Sequence, residues 1–363
     1  MNQVENEAKS AVKSGGLEGV SVADTALSDV DGERGRLVVA GRDVEALAGS
    51  ATFEDVVALL LRAADASGDL DVRTGLARGR AAGFEALARV GDATAITDGM
   101  ASLRASLAHL ETEEPLTLVG ATATLAAAWS RARAGEAPIR PDPASTHARD
   151  YLRMLGVDPT DARTAAIDAY LVTVAEHGMN ASTFTARVVA STGSDLVSSI
   201  VAAVGALKGP LHGGAPGPVL DMLDAIGGAE NAEKWLESEL AAKRRIMGMG
   251  HRIYRVRDPR AAVLEGATLR LEAAGVKTTR LELARAVERA ANDALSKRHP
   301  DRPLRANVEF YTAVLLDTVG LPRASFSPTF AVGRVAGWCA HVLEQRRTGR
   351  IIRPASRYVG VVP

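Results

Sequence analysis

Apolar side chains recur along this chain at three- and four-residue steps, and only rarely in alternation. Phe53, Val56, Val57, Leu60 and Leu61 form one such stripe, and Thr52 with Asp55 supplies the reciprocal bonds that start a helix. Ala165 to Glu176 repeats the pattern and stops at Gly178. Thr183 to Leu207 is apolar or small nearly all round, broken only by Gly193 and Gly205, which predicts a buried helical run rather than a surface amphipath. Helical periodicity continues from Val219 to Ile226, Ala229 to Lys243, Leu281 to Lys297, Val308 to Val319 and Phe330 to Gln345. Strand-like alternation is confined to the piece from Gly35 to Ala40, and Pro138 to Pro143 and His299 to Pro303 read as Pro-marked loops. The expected fold class is all-α, without an internal repeat of fixed period.

Composition narrows the function classes. With 363 residues and 47% hydrophobic content the chain can bury a large core, as two domains or as one large domain with a smaller one embedded. Lys plus Arg (43) nearly cancels Asp plus Glu (44), so no overall field would hold nucleic acid or an anionic membrane, and any basic site must be local. Cys339 is the only cysteine and lies in an apolar run; no intrachain disulfide is possible, a reducing compartment is expected, and the residue reads as helix packing rather than a nucleophile. The stretch Met1 to Lys9 carries acids where a secretory leader would need a basic and then an apolar segment, and Leu116 to Trp129 is too short to cross a bilayer. A soluble, cytoplasmic protein is the expectation.

Candidate chemistry gathers on three turns. Of the seven histidines, His109, His147, His299 and His341 lie in helical or loop contexts without a polar constellation and read as structural or solvent-facing. His177 sits at a joint between two long helices. His212 follows a buried helix and Pro210 and precedes Gly213-Gly214; near a helix N-terminus it would be kept neutral and able to donate one proton. His251 follows Met247-Gly-Met-Gly250, in a region where Lys243, Arg244, Arg245, Arg252, Arg255, Arg257 and Arg260 face the single acid Asp258. Glycines and Pro259 make this a loop able to hold phosphates rather than a solvated helix end. No zinc spacing, P-loop, dinucleotide fingerprint or Gly-x-Ser-x-Gly is present, so no metal is assigned and nucleotide hydrolysis is not expected.

The segments Gly205-Ala-Leu-Lys-Gly-Pro-Leu-His-Gly-Gly-Ala215, Gly250-His251 with Asp258-Pro-Arg260, Asn307-Val-Glu309 and Arg353-Pro-Ala-Ser-Arg-Tyr-Val-Gly360 together resemble the citrate synthase family. Gly16-Leu-Glu-Gly-Val20, Asp31-Gly-Glu-Arg-Gly35 and Asn180-Ala-Ser-Thr-Phe-Thr-Ala-Arg187 extend the resemblance, in order, over nearly the whole chain. It implies a two-domain helical fold, with a large domain of residues 1–213 and 321–363 and a smaller, mobile domain of 214–320. It also implies a homodimer in which Arg353 reaches the partner's site.

By the same resemblance, His212 would bond the acetyl-CoA carbonyl, residue 309 would take the methyl proton, and His251 would protonate the ketone oxygen of oxaloacetate. His177, Arg260, Arg334 and Arg353 would hold the oxaloacetate carboxylates. Arg255 is assigned to a coenzyme A phosphate and Met247, Gly248 and Gly250 to its adenine side; no cofactor is bound permanently, the thioester being a co-substrate. One departure stands out: the family's base is an aspartate, and this chain has Glu309. The alternatives are a 2-methylcitrate synthase using propionyl-CoA, and a weakly active or regulatory paralogue.

Overall fold

In the computed structural model the described residues are 17, 19–64, 70–212, 216–278, 280–298 and 304–362. Gly16, Glu18, Gly213, Gly214 and the loop from His299 to Pro303, all singled out above, lie outside them. Among the described residues are fifteen α-helices and one three-stranded antiparallel sheet. The sheet is a meander of β1 (Ser28–Asp31), β2 (Arg36–Val39) and β3 (Arg42–Asp43), with Val30 opposite Leu37 and Val38 opposite Asp43. It contains the one segment whose sequence alternates; the rest of the fold is helical, as expected.

The helices are α1 (Val44–Ser50), α2 (Phe53–Ala63), α3 (Val72–Ala86), α4 (Gly99–Leu107), α5 (Pro115–Arg133), α6 (His147–Leu155), α7 (Asp161–Val174) and α8 (Ala181–Ala190). After them come α9 (Leu196–Leu207), α10 (Pro216–Ile226), α11 (Ala232–Ala241), α12 (Pro259–Ala273), α13 (Arg280–Arg298), α14 (Val308–Val319) and α15 (Phe326–Thr348). The Thr52–Asp55 capping box is formed, and α2 buries the five apolar residues of its stripe. The run expected from Thr183 to Leu207 is instead two helices, α8 and α9. The chain reverses at Gly193, whose φ of +81° disfavours any residue with a Cβ, and Asp195 then caps α9 by accepting from the Ser198 N–H at 2.7 Å. Uniform apolarity had hidden the turn.

The core is organised around α15. This helix is buried along most of its length, Trp338 and Cys339 included, and packs against α2, α4, α5, α7, α8 and α9. A second device is the close approach of α3 and α5. Gly75, Gly79 and Gly83 follow at four-residue steps, so they share one helix face. A Cβ at Gly79 would stand 2.5 Å from the Leu116 carbonyl oxygen, and one at Gly120 2.4 Å from that of Leu76.

Two histidines read as lacking polar company are deep in it. His147 is fully buried beside Arg80, which is 2.7 Å from Asp150. His341 is fully buried, with Nε2 3.0 Å from Glu176 and Nδ1 2.9 Å from the Arg187 guanidinium. Arg187 also pairs with Glu344 at 2.6 Å. Their partners are dozens of residues or more away in sequence, so local context could not reveal them. His109 is exposed, as expected. No helix among the described residues is long and apolar enough to cross a membrane.

Candidate functional site

His177 occupies the turn between α7 and α8, and Arg334 reaches it from the middle of α15. His212 closes the turn after α9. His251 lies in the loop before α12, which carries Arg260 in its first turn; Glu309 is in the first turn of α14. Asp258 knits the last two elements together. It accepts from the Arg260 and Val308 N–H groups at 3.0 and 3.2 Å, and grips the Arg260 guanidinium at 3.0 and 2.8 Å. Two helix N-termini are thereby held side by side, a geometry that favours negative charge.

His177 and His251 stand edge to face with ring centroids 5.6 Å apart, and Tyr254 closes the triangle, its hydroxyl 3.1 Å from His177 Nε2. His251 Nδ1 accepts from the main-chain N–H groups of Ile253 and Tyr254 at 3.1 and 3.2 Å. A neutral His251 therefore carries its proton on Nε2. For His212 the tautomer is the opposite: Nε2 accepts from the Ser182 N–H at 3.3 Å and lies 2.8 Å from Ser182 Oγ, so the proton is on Nδ1. Ser182 Oγ is itself held by the Trp338 indole N–H at 3.1 Å.

Burial and the arginines keep all three rings uncharged. Burial foremost, and then Arg260, lowers the His251 pKa to about 4; burial and then Arg334 does the same for His212; His177 is depressed well below its ordinary value by burial, Arg260 and Arg334. Each is thus a neutral donor near pH 7. Glu309 is pushed the other way. Burial raises it to about 7, outweighing the lowering pull of Arg260 and Arg334.

Two buried atoms here have no partner: Glu309 Oε2 and Arg334 Nη2. Arg334 Nε donates to the Val174 carbonyl at 2.5 Å, and burial lowers its pKa only to about 10, so it remains a cation. An unpaired carboxylate oxygen and an unpaired guanidinium nitrogen, both buried and each feeling the other's charge, are costly unless a ligand completes them. The arrangement is suited to holding a small anion against Arg260 and Arg334 while a carboxylate takes a proton and neutral imidazoles donate.

His177, His212, His251, Arg260, Glu309 and Arg334 are brought together, as judged by their contacts and by the charges each feels. The remaining five assignments fall elsewhere. Arg353 is exposed on the C-terminal tail, which has no helix or strand. Arg255 is exposed, its N–H donating to the Gly32 carbonyl at 2.9 Å and its side chain 3.9 Å from Glu33. Gly248 and Gly250 are taken up in joining the loop to α14: the Asn307 N–H donates to Gly248 O at 2.9 Å, the Gly250 N–H to Arg305 O at 2.7 Å, and Met247 beside them packs on the core. Tyr254, Ser182, Asp258 and Trp338 were not singled out as site residues, although Ser182 and Asp258 lie inside quoted motifs.

The family model described as "Citrate synthase, C-terminal domain" matches residues 16–355. A protein of Mycobacterium tuberculosis named "Putative citrate synthase 2" is 40% identical over 96% of this chain and 93% of its own length. The citrate synthase of Haloferax volcanii is 35% identical over 95% of each. Among solved structures, a ternary complex of the Thermoplasma acidophilum citrate synthase with carboxymethyl coenzyme A and oxaloacetate superposes with a TM-score of 0.85 at 26% identity, covering 96% of both chains. The Thermotoga maritima citrate synthase gives 0.83 at 32% identity, again over 96% of both.

Proposed function

The chain belongs to the citrate synthase family, and within it we propose that it is a citrate synthase proper, condensing acetyl-CoA with oxaloacetate to give citrate and coenzyme A. It is an enzyme of the corresponding acyltransferase type. Oxaloacetate, a dianion, sits against Arg260, Arg334 and His177. His212 donates from Nδ1 to the thioester carbonyl oxygen, and Glu309 removes a methyl proton to leave the enol. The enol carbon attacks the ketone carbon of oxaloacetate while His251 gives its Nε2 proton to the ketone oxygen. Water then cleaves citryl-CoA.

The observation that carries this reading is the pair of unpartnered buried atoms, Glu309 Oε2 and Arg334 Nη2. A base with a free lone pair and a cation with a free donor are what an enol-forming condensation on a dianion requires. The Thermoplasma neighbour's ligands, a coenzyme A derivative and oxaloacetate, support coenzyme A thioester as co-substrate. In the same proposal residues 1–213 and 321–363 form the large domain, residues 214–320 close over the ligands to exclude water, the enzyme works in the cytoplasm as a homodimer, and Arg353 serves the partner's site. Arg255 is proposed to reach a coenzyme A phosphate once the loop is loaded.

The test is release of free coenzyme A thiol with oxaloacetate and either acetyl-CoA or propionyl-CoA. A kcat/KM at least tenfold higher with acetyl-CoA supports the proposal. Preference for propionyl-CoA turns it to a 2-methylcitrate synthase, and no thiol release with either ends it.

A further inference from the structure

The β1–β2 hairpin ends in a tight turn at Asp31 and Gly32. Asp31 turns the chain by accepting from the Glu33 and Arg34 N–H groups at 3.1 and 2.9 Å, and the next residue, Gly32, is laid against the loop that carries His251. The Gly32 carbonyl accepts from the Arg255 N–H at 2.9 Å. A Cβ built on Gly32 would stand 2.4 Å from the Ile253 carbonyl oxygen and 2.8 Å from both its carbonyl carbon and Cγ2. Contact that close, to backbone, cannot be relieved by turning a side chain.

Ile253 and Tyr254 are the residues whose N–H groups fix His251 Nδ1. The hairpin thus presses on the peptide units that set the tautomer and direction of the ring. We propose that Gly32 is a positioning residue for His251: lacking a side chain, it lets the hairpin brace the 251–257 loop so that the Nε2 proton points at the substrate. This rests on the role given to His251 above. The brace joins residues far apart in sequence, and an alanine there would displace the loop on a scale of about 1 Å, enough for a rate loss on the order of 10²-fold in a site that depends on orientation.

The experiment compares Gly32→Ala with Gly41→Ala. Gly41 lies in the same meander at a φ of +80° and has nothing within 4 Å of a Cβ, so its substitution strains the sheet without touching the loop. Two readouts are taken on the full-length enzyme: amide hydrogen exchange at Ile253 and Tyr254, and steady-state kcat and KM with acetyl-CoA and oxaloacetate. Gly32→Ala should speed exchange at both amides and lower kcat at least tenfold, leaving KM for the thioester within about twofold; Gly41→Ala should leave exchange and kcat as in the parent. Parent-like exchange at those amides in Gly32→Ala, or an equal loss of kcat in Gly41→Ala, overturns the brace. His251→Ala separates the two levels of argument: if it keeps the parent kcat, the proposed reaction scheme falls, while the exchange rates still decide whether the brace exists.

Discussion

Replacing Glu309 with glutamine should make the protein less active and more stable, with the stability gain set by pH. The carboxyl is 9% exposed, has one oxygen without a partner, and titrates near 7 instead of 4.5 because burial disfavours its charge. Below pH 4.5 it is protonated in both folded and unfolded chains and costs nothing. Between 4.5 and 7 the unfolded chain loses the proton while the folded one keeps it, so folding becomes steadily less favourable as pH rises; above 7 the full penalty persists. At 1.36 kcal/mol per unit, a shift of that size is worth about 3 kcal/mol. Glutamine has no such titration, so the stability difference between variant and parent should grow by about 3 kcal/mol from pH 4.5 to pH 8. Urea midpoints followed by circular dichroism at fixed protein concentration measure it, the concentration being held because any subunit association would make stability depend on it. Thiol release at pH 8 should meanwhile fall by about 10²- to 10⁴-fold, the usual worth of a general base. Parallel stability curves for parent and variant across this pH range would refute the reasoning, since they would mean that the carboxyl does not carry a buried charge.

Three further outcomes follow from the packing. Asp168, raised to about 7 mainly by burial and accepting the Phe53 N–H at 2.8 Å, carries the same kind of penalty; Asp168→Asn keeps an acceptor and should raise the thermal midpoint at pH 8 but hardly at pH 4.5. Gly79→Val forces a side chain into the backbone of α5 and should destabilise by about 1–3 kcal/mol or prevent folding, whereas the same change at exposed Gly49, with nothing within 4 Å of a Cβ, should be neutral or slightly stabilising in the same urea titration, because valine is a better helix former than glycine. Ser182→Ala leaves the Trp338 indole N–H without its acceptor and removes the hydroxyl 2.8 Å from His212 Nε2. It should lower kcat by about tenfold and destabilise by about 1–3 kcal/mol; a parent-like kcat would show that Ser182 does not set the His212 tautomer.

Elements that announce themselves locally were legible in the sequence. The Thr52–Asp55 box, the stripe of α2 and the bounds of α14 needed only periodicity and capping chemistry, and each formed where the residues placed it. What stayed hidden required knowledge of distant partners. Gly193 looked like one glycine in an apolar run and is a chain reversal; Gly75, Gly79, Gly83 and Gly120 carry no local signal of pairing and are the contact surface of two helices. His341 and His147 looked solitary because Glu176, Arg187 and Arg80 lie elsewhere along the chain.

The candidate site divides along the same line. His212 and His251 stood out beside glycines and Arg260 beside a proline, in motifs short enough to read, whereas Glu309 was reached through the resemblance to the citrate synthase family. Their ionisation could not be read that way. Counting charges around residue 309 gives two arginines, Arg260 and Arg334, against Asp258, and that count alone predicts a lowered pKa; burial reverses the sign. The same arginines that should favour a carboxylate help to keep His177, His212 and His251 neutral. A base that titrates near neutrality and imidazoles that remain proton donors at that pH are therefore products of one cause, the burial of the site away from water. It follows that any substitution admitting water there, even one distant from the six residues, should lower the Glu309 pKa and raise those of the histidines together.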